Sequence, residues 1–357
     1  MTEKVLVAMS GGVDSSVAAY LIREQGYETT GVTMRLYDNE TIGISNAKTC
    51  CSLDSINDAV QVANKLDIYY LIYDFREEFK KEVIQRFIDS YEQGMTPNPC
   101  IECNRYLKFD HLYIAGKEIG QDYVATGHYA IVEKDKGTGR YLLKKSVDLS
   151  KDQSYVLYSM TQEQLSHTLF PLGALHKTET RKIAEEQGFI NAKKHDSQDI
   201  CFIPDGDYAG FIRNYTGKSY PQGDFVDRDG NVLGTHKGII QYTIGQRKGL
   251  GLALKKPMYV QELDMQNNRV ILGDNDDLFT KELDAKEFNW IAMDTPSSDI
   301  RAKARIRYKH KEAEATIVPT GKDTVHIVFD EPQRAITRGQ SVVVYDGDYV
   351  VGGGTIC

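Results

Sequence analysis

The chain has 357 residues, well beyond the ~100–150 of a typical single domain, so two or three domains with separate cores are expected. Hydrophobic residues make up 41% and charged residues 26%, and no stretch approaches the roughly 18 consecutive apolar residues of a membrane span, which excludes a membrane protein of the helical kind. Lys+Arg number 43 against 51 Asp+Glu, a net charge of -8 that excludes an indiscriminate nucleic-acid coat; any RNA or DNA site must be a local concentration of cations. Met1-Thr2-Glu3-Lys4 runs directly into an apolar stretch with no signal-peptide pattern, so a cytoplasmic protein is expected. Six cysteines are too few for a disulfide-built scaffold, and clustered ones read as metal ligands or reactive thiols.

In chain order, Lys4 to Ala8 reads as a buried strand and Val13, Val17 and Leu21 as a helical stripe ending at Gly26. Strands follow at Thr29 to Leu36, Ile68 to Tyr73 and Tyr123 to Thr126, with helices at Leu53 to Leu66, Glu77 to Gln93 and Asp110 to Ile119. That alternation predicts a parallel sheet covered on both faces. Tyr129 to Val132 and Tyr141 to Lys144 read as a hairpin, and Gln153 to Met160 and Lys177 to Gln187 as helices. From about Pro204 helical periodicity nearly disappears, and Asp229-Gly230, Asn267-Asn268 and Asp346-Gly347 mark the turns of antiparallel β structure. The expected organisation is α/β plus β: an N-terminal parallel-sheet domain over 1–204, a central small β domain over 205–276, and a C-terminal β-barrel over 277–357.

Ser10-Gly11-Gly12-Val13-Asp14-Ser15 lies between the first strand and the first helix. Two glycines let backbone approach a phosphate, the helix that follows directs unpaired N–H groups and its positive dipole end at the anion, and the serines add hydroxyls. There is no Gly-x-x-x-x-Gly-Lys-Ser/Thr, hence no local lysine to reach the β and γ phosphates. A bare strand-to-helix turn would also use glycines, but it has no use for flanking hydroxyls at a strand's carboxyl end, where sheet ligands bind. The hexapeptide resembles the loop of the ATP pyrophosphatase (PP-loop) superfamily, whose members cleave ATP between the α and β phosphates and adenylate a carbonyl or amide oxygen.

Cys100 and Cys103 form a C-x-x-C stiffened by Pro97 and Pro99, placed just before the expected helix at 110, where the dipole favours thiolate. Cys201 lies far away in Asp196-Ser197-Gln198-Asp199-Ile200-Cys201-Phe202-Ile203. A zinc site would need four ligands, and only Cys50-Cys51 offers another; a lone Cys201 also fits a small buried hydrophobe. A further run, from Arg301 to Lys311, puts cations at 301, 303, 305, 307, 309 and 311, on one face of a strand with Ala302, Ala304, Ile306 and Tyr308 turned inward. This is either a solvated face or, with six cations and no acid in a chain of negative charge, a surface for RNA phosphates.

Taken with Thr96-Pro97-Asn98-Pro99, Cys103-Asn104, Ala125-Thr126-Gly127-His128-Tyr129, Lys151-Asp152-Gln153-Ser154, the Asp196 to Ile203 string, Tyr242 to Gly251 and Gly352-Gly353-Gly354, the chain resembles the tRNA-specific 2-thiouridylase family along nearly its whole length. The resemblance implies ATP-dependent replacement of the C2 oxygen of the wobble uridine by sulfur, with Mg²⁺ accompanying ATP near Asp14. It implies ATP contacts at Ala8, Met9, Ser10, Gly11, Gly12, Val13, Asp14, Ser15, Met34 and Gly127. Target-base contacts fall at Asn98, Pro99 and Cys100, and tRNA contacts at Lys151, Asp152, Gln153, Arg307 and Tyr308. Cys201 resembles the persulfide carrier and Cys103 its partner. Many members carry aspartate where this chain has Cys100, so an acid/base role does not transfer; a subset with the cysteine resembles enzymes holding a 4Fe-4S cluster on three cysteines. The favoured expectation is such a cluster on Cys100, Cys103 and Cys201, with the persulfide pair second. The expected partners are tRNA and a sulfur donor such as a cysteine desulfurase or a sulfur-relay protein, with neither membrane nor DNA. A PP-loop enzyme acting on a small molecule and a non-catalytic RNA binder are the competing readings.

Overall fold

The computed structural model describes residues 2–38, 53–196 and 200–357. Its first unit is a parallel sheet of β1 (Lys4–Ala8), β2 (Glu28–Arg35), β3 (Tyr69–Asp74), β4 (Tyr123–Ala125) and the later, two-residue β7 (Thr168–Leu169), in the order β3-β2-β1-β4-β7. β1 is central and reads as an unbroken apolar run because both of its faces are covered. Leu6 packs against Phe79, Phe87 and Leu107 on one side, while Val5 and Val7 meet Val17, Ala18 and Ala63 on the other. The helices α1 (Val13–Glu24) and α2 (Leu53–Lys65) provide that second layer.

Two helical stretches cover the opposite face, and each contains a wider π-type section, Lys80–Gln85 in the first and Cys103–His111 in the second. The second begins at Pro99, eleven residues before the expected start at 110. Asn98 caps it by accepting from the Cys100 N–H at 3.2 Å, and Pro99 occupies the first position, where its missing N–H costs nothing. The π section shifts Leu107, Phe109 and Leu112 off 3.6 periodicity, which hides the start from a reading by period. Gln153 to Met160 contains only the 3-10 turn Ser154–Leu157 rather than the expected helix.

The hairpin β5 (Ala130–Lys134) and β6 (Tyr141–Lys145) forms as expected. Next, β8 (Gly223–Val226), β9 (Val232–His236), β10 (Tyr259–Asp264) and β11 (Arg269–Gly273) make a small sheet in the order β10-β11-β8-β9. A helix not foreseen there, Tyr208–Thr216, precedes it. It is capped by Asp207, which accepts from the Gly210 N–H, and stopped by Gly217 in a left-handed conformation. The remaining strands, β12 (Phe279–Trp290), β13 (Ile300–Arg305), β14 (Ala313–Pro319), β15 (Val325–Arg334), β16 (Ser341–Asp346) and β17 (Tyr349–Ile356), run β12-β15-β14-β13-β16-β17, and β12 pairs with β17 to close a six-stranded barrel. In β17 a Cβ on Gly352, Gly353 or Gly354 would come within 2.5, 2.6 and 2.7 Å of Asn289 O, the Tyr158 ring and Lys286 O, so the triple glycine is there for close packing. β17 also bonds to β6 through Tyr349 and Lys144, which joins the hairpin of the first unit to the barrel sheet. Among the described residues no helix is long and apolar enough to cross a membrane.

Candidate active site

The chain steps from β1 to β2 on one side and later to β4 on the other, so the carboxyl end of β1 is a switch point of the sheet. The Ser10–Ser15 loop leaves β1 there. Met34 lies near the end of the adjacent β2, and Gly127 follows β4 on the other side, so the sheet brings the three parts of the expected ATP set to one end. Gly11 has φ +72, and a Cβ on it would stand 2.0 Å from Ser55 O. A Cβ on Gly127 would stand 2.8 Å from the backbone of Asp14 and Ser15. Both glycines are fixed by backbone crowding. Gly12 is the N-cap of α1 and provides no side-chain cap, which leaves the first N–H groups of a twelve-residue helix available to an anion. Ser15 turns inward: its hydroxyl donates to Gly12 O at 3.1 Å and accepts from Ser10 N at 3.1 Å, so it shapes the loop.

Cations absent from the loop itself come from far along the chain. Lys194 Nζ donates to Gly11 O at 3.1 Å, Ser55 Oγ at 3.1 Å and Asp58 at 2.9 Å, while Asn191 Nδ2 donates to Gly11 O, Gly12 O and Ser16 Oγ. Lys177, only 8% exposed, places Nζ 2.7 and 2.8 Å from the two oxygens of Asp14 and 2.8 Å from Asp196 Oδ1. Both oxygens of Asp14, near which Mg²⁺ is expected with ATP, are thus occupied by an ammonium. Asp196 also accepts from Lys151 and Arg181, each at 2.8 Å. Burial alone would raise the Asp196 carboxyl, but Lys151 and Lys177 outweigh it and hold it down to about 2.

Lys151, Asp152 and Gln153 divide their roles. Lys151 remains partly exposed, and Gln153 exchanges hydrogen bonds with the Tyr129 backbone at 3.0 and 2.9 Å. Asp152 is buried and accepts from Ser146 N, Ser154 N and Ser154 Oγ; it organises the turn and does not face outward for RNA. His128 is also buried, 2.7 Å from Thr126 Oγ1, and burial pushes its imidazole well below the usual range.

Cys100 is exposed on the first turn of the helix starting at Pro99, Cys103 is buried one turn further, and Cys201 is partly buried. Cys103 belongs to the apolar cluster that Cys201 borders, and the Tyr37 hydroxyl donates to Cys201 O at 2.6 Å. Among the described residues no three His, Cys, Asp or Glu side chains are grouped so as to hold a metal ion. Among the described residues the three thiols thus do not stand together as the ligand set of a 4Fe-4S centre, the cofactor favoured from the sequence. Cys50 and Cys51, and Ser197 to Asp199, lie outside the described residues.

The barrel completes the site. Gln340 Nε2 donates to Thr96 O at 2.7 Å and Thr96 N to Arg338 O at 2.9 Å, bracing the Thr96-Pro97-Asn98-Pro99 strap. The cationic run is shorter as a strand than expected: β13 ends at Arg305 and 306–311 turns away. Arg301 pairs with Asp330, and Arg305 lies between the rings of Tyr155 and Tyr308, 3.9 Å from Asp152 and donating to Tyr308 O. Arg307 donates to Arg334 O and Ala335 O. Arg305 and Arg307 are therefore not solvated cations, because the barrel uses them to hold its turn, whereas Arg301 stays exposed. The Tyr308 hydroxyl donates to Asp152 O at 3.0 Å; burial and then Asp152 push it up, and Cys100 is near enough to add to that effect. The structure thus joins 307–308 to 151–153 and to Cys100. Lys177, Asn191 and Lys194 were missed, since nothing local marks a lysine that reaches a loop more than 160 residues earlier; the helix-facing acid Asp14, lacking a nearby cation in sequence, was the available signal.

The family pattern described as "tRNA methyl transferase HUP domain" matches residues 3–205, "tRNA methyl transferase PRC-barrel domain" 209–274, and "Aminomethyltransferase beta-barrel domain" 280–356. The tRNA-specific 2-thiouridylase MnmA of Clostridioides difficile is 56% identical over 357 residues, covering 100% of this chain and 98% of that protein. The enzyme of the same name from Acetivibrio thermocellus is 53% identical over 99% of each. A solved 4-thiouridine synthetase–RNA complex with bound ATP is 21% identical with a TM-score of 0.38, over 57% of this chain and 45% of that one, too distant to bear on activity. Similarity this high, sustained from the phosphate loop to the last barrel strand, means that the chain belongs to the MnmA family of tRNA-specific 2-thiouridylases.

Proposed function

We propose that the chain, a tRNA sulfurtransferase by family, carries out ATP-dependent 2-thiolation of the wobble uridine of tRNA. The observation that carries this reading is the uncapped N-terminus of α1 at the sheet's switch point, tied through Lys177 and Asp196 to Lys151, with Cys100 and Tyr308 beside the same turn. The uridine O2 attacks the α phosphorus and pyrophosphate leaves; the loop N–H groups and Lys194 serve the phosphates of the leaving group. Asp14, once the Lys177 ammonium gives way, would hold Mg²⁺, which would offset the charge of those phosphates. Adenylation makes AMP the leaving group from C2, where oxide would not leave.

The sulfur chemistry of this reading is the persulfide pair, since Cys201 borders the apolar cluster that holds Cys103. The terminal sulfur on Cys201 bonds to C2 as AMP departs. The Cys103 thiolate then attacks Cys201 Sγ, releasing the thiolated base and leaving a disulfide that a thiol reductant resets. Asn98, Pro99 and Cys100 form the contact for the base, with Lys151, Gln153 and Tyr308 on the RNA; the sulfur comes from a cysteine desulfurase or relay protein. Incubating the chain with ATP, Mg²⁺, unmodified tRNA and a desulfurase, followed by nucleoside mass spectrometry, should give 2-thiouridine with equimolar AMP and pyrophosphate. ADP as the main product, or AMP formation independent of tRNA, overturns the reading.

A further inference from the structure

A row of alternating charges runs from the nucleotide loop to the Lys151–Gln153 turn: Asp14, Lys177, Asp196, Lys151. Its links measure 2.7 to 2.8 Å, and its middle cation is buried. Lys177 has one ammonium to divide between two carboxylates, and little water reaches it to replace either partner, so a loss at one carboxylate is answered at the other. Lys151 is the exposed end of the row, its side chain 36% accessible. Arg181 stays on Asp196 as a fixed partner. A second link runs through Tyr129, whose hydroxyl donates to Asp14, whose backbone N–H donates to Gln153 and whose ring lies 5.9 Å from the Lys177 ammonium, so it stays on Asp14 when Lys177 shifts but carries no cation of its own.

We propose that Lys177 is a positioning residue that couples ATP binding to tRNA binding, an inference that rests on the functional reading above. When an RNA phosphate draws Lys151 from Asp196, the carboxylate that has lost a partner pulls the Lys177 ammonium toward itself. Asp14 is then uncovered beside the phosphate loop, ready for the cation that arrives with ATP. By linkage the nucleotide raises the affinity for tRNA by the same factor. This gives a physical reason for adenylation to wait for its RNA.

The test measures binding of α,β-methylene ATP with Mg²⁺ by calorimetry, with and without saturating unmodified tRNA, in the full chain. The wild-type protein should bind the analogue at least about fivefold more tightly with tRNA present. Lys177→Met should bring that ratio close to one, and Lys177→Arg, which keeps a cation, should retain most of it. Asp196→Asn breaks the row without touching the phosphate loop and should also abolish the ratio, which covers the case of a poorly folding Lys177→Met. A ratio unchanged in both variants, or a wild-type protein that binds both ligands independently, overturns the proposal. A wild-type protein that binds neither the analogue nor tRNA instead refutes the functional reading beneath it.

Discussion

Gly11 shows how little freedom the phosphate loop has. Its left-handed φ and the carbonyl of Ser55, which a Cβ would meet at 2.0 Å, both forbid a side chain, so Gly11→Ala should lower the unfolding free energy by about 2 kcal/mol or more in urea titrations. Cys100 decides the sulfur chemistry. With the thiols as placed, Cys100→Asp should thiolate tRNA in air with no iron bound; loss of both iron and activity in an anaerobic preparation would restore the cluster expected from the cysteine triplet. Asp196 sets an acid limit. Its carboxyl, held at about 2 against an ordinary 3.8, stabilises the fold fully above roughly pH 4, and the contribution disappears as pH falls toward 2. The difference in urea midpoint between wild type and Asp196→Asn should therefore shrink between pH 5 and pH 2.5.

At the scale of elements, the cationic run is legible as a strand, but two of its six cations, Arg305 and Arg307, turn into the barrel rather than out to solvent. Period two correctly turned Ala302, Ala304 and Ile306 inward, but composition could not reveal that Arg305 would be enclosed by Tyr155 and Tyr308 or that Arg307 would bond carbonyls across the barrel. Arg305→Ala should consequently cost stability, about 1–3 kcal/mol by thermal melting, whereas Arg301→Ala, with its exposed pair to Asp330, should stay within about 0.5 kcal/mol. Lys309 and Lys311 are exposed and make no ion pair among the described residues, so replacing both by alanine should lower the salt slope of tRNA binding by about one unit for each phosphate left without its lysine. The parallel sheet was readable because its strands are continuous apolar runs spaced by helices of clear period. The helix starting at Pro99 was not, because a π section dephases its apolar positions, although Asn98-Pro99 is itself a start signal. The phosphate loop was readable as six adjacent residues; its lysines were not, because the fold alone decides that 177 returns to residue 14 and 194 to residue 11.

At the scale of the whole molecule, the Lys151 turn, the strap at 96–99 and the barrel meet at one seam, through Tyr308 on Asp152 O and Gln340 on Thr96 O. That seam belongs to no single unit. A chain ending at residue 276 would lose the partners of Thr96, Arg105 and Asp152 and leave the β6 edge open, so it should bind tRNA more weakly and be cleaved faster by protease than the full chain.

The pairing of β6 with β17 also orders events in time. A ribosome delivers residue 144 long before residue 349, and β12 cannot close the barrel until β17 has followed. The nascent chain therefore carries an unfinished sheet edge through the synthesis of roughly two hundred further residues, a long-range closure of the slow kind. The seam between the barrel and the first unit therefore comes into being only after β17 has been made.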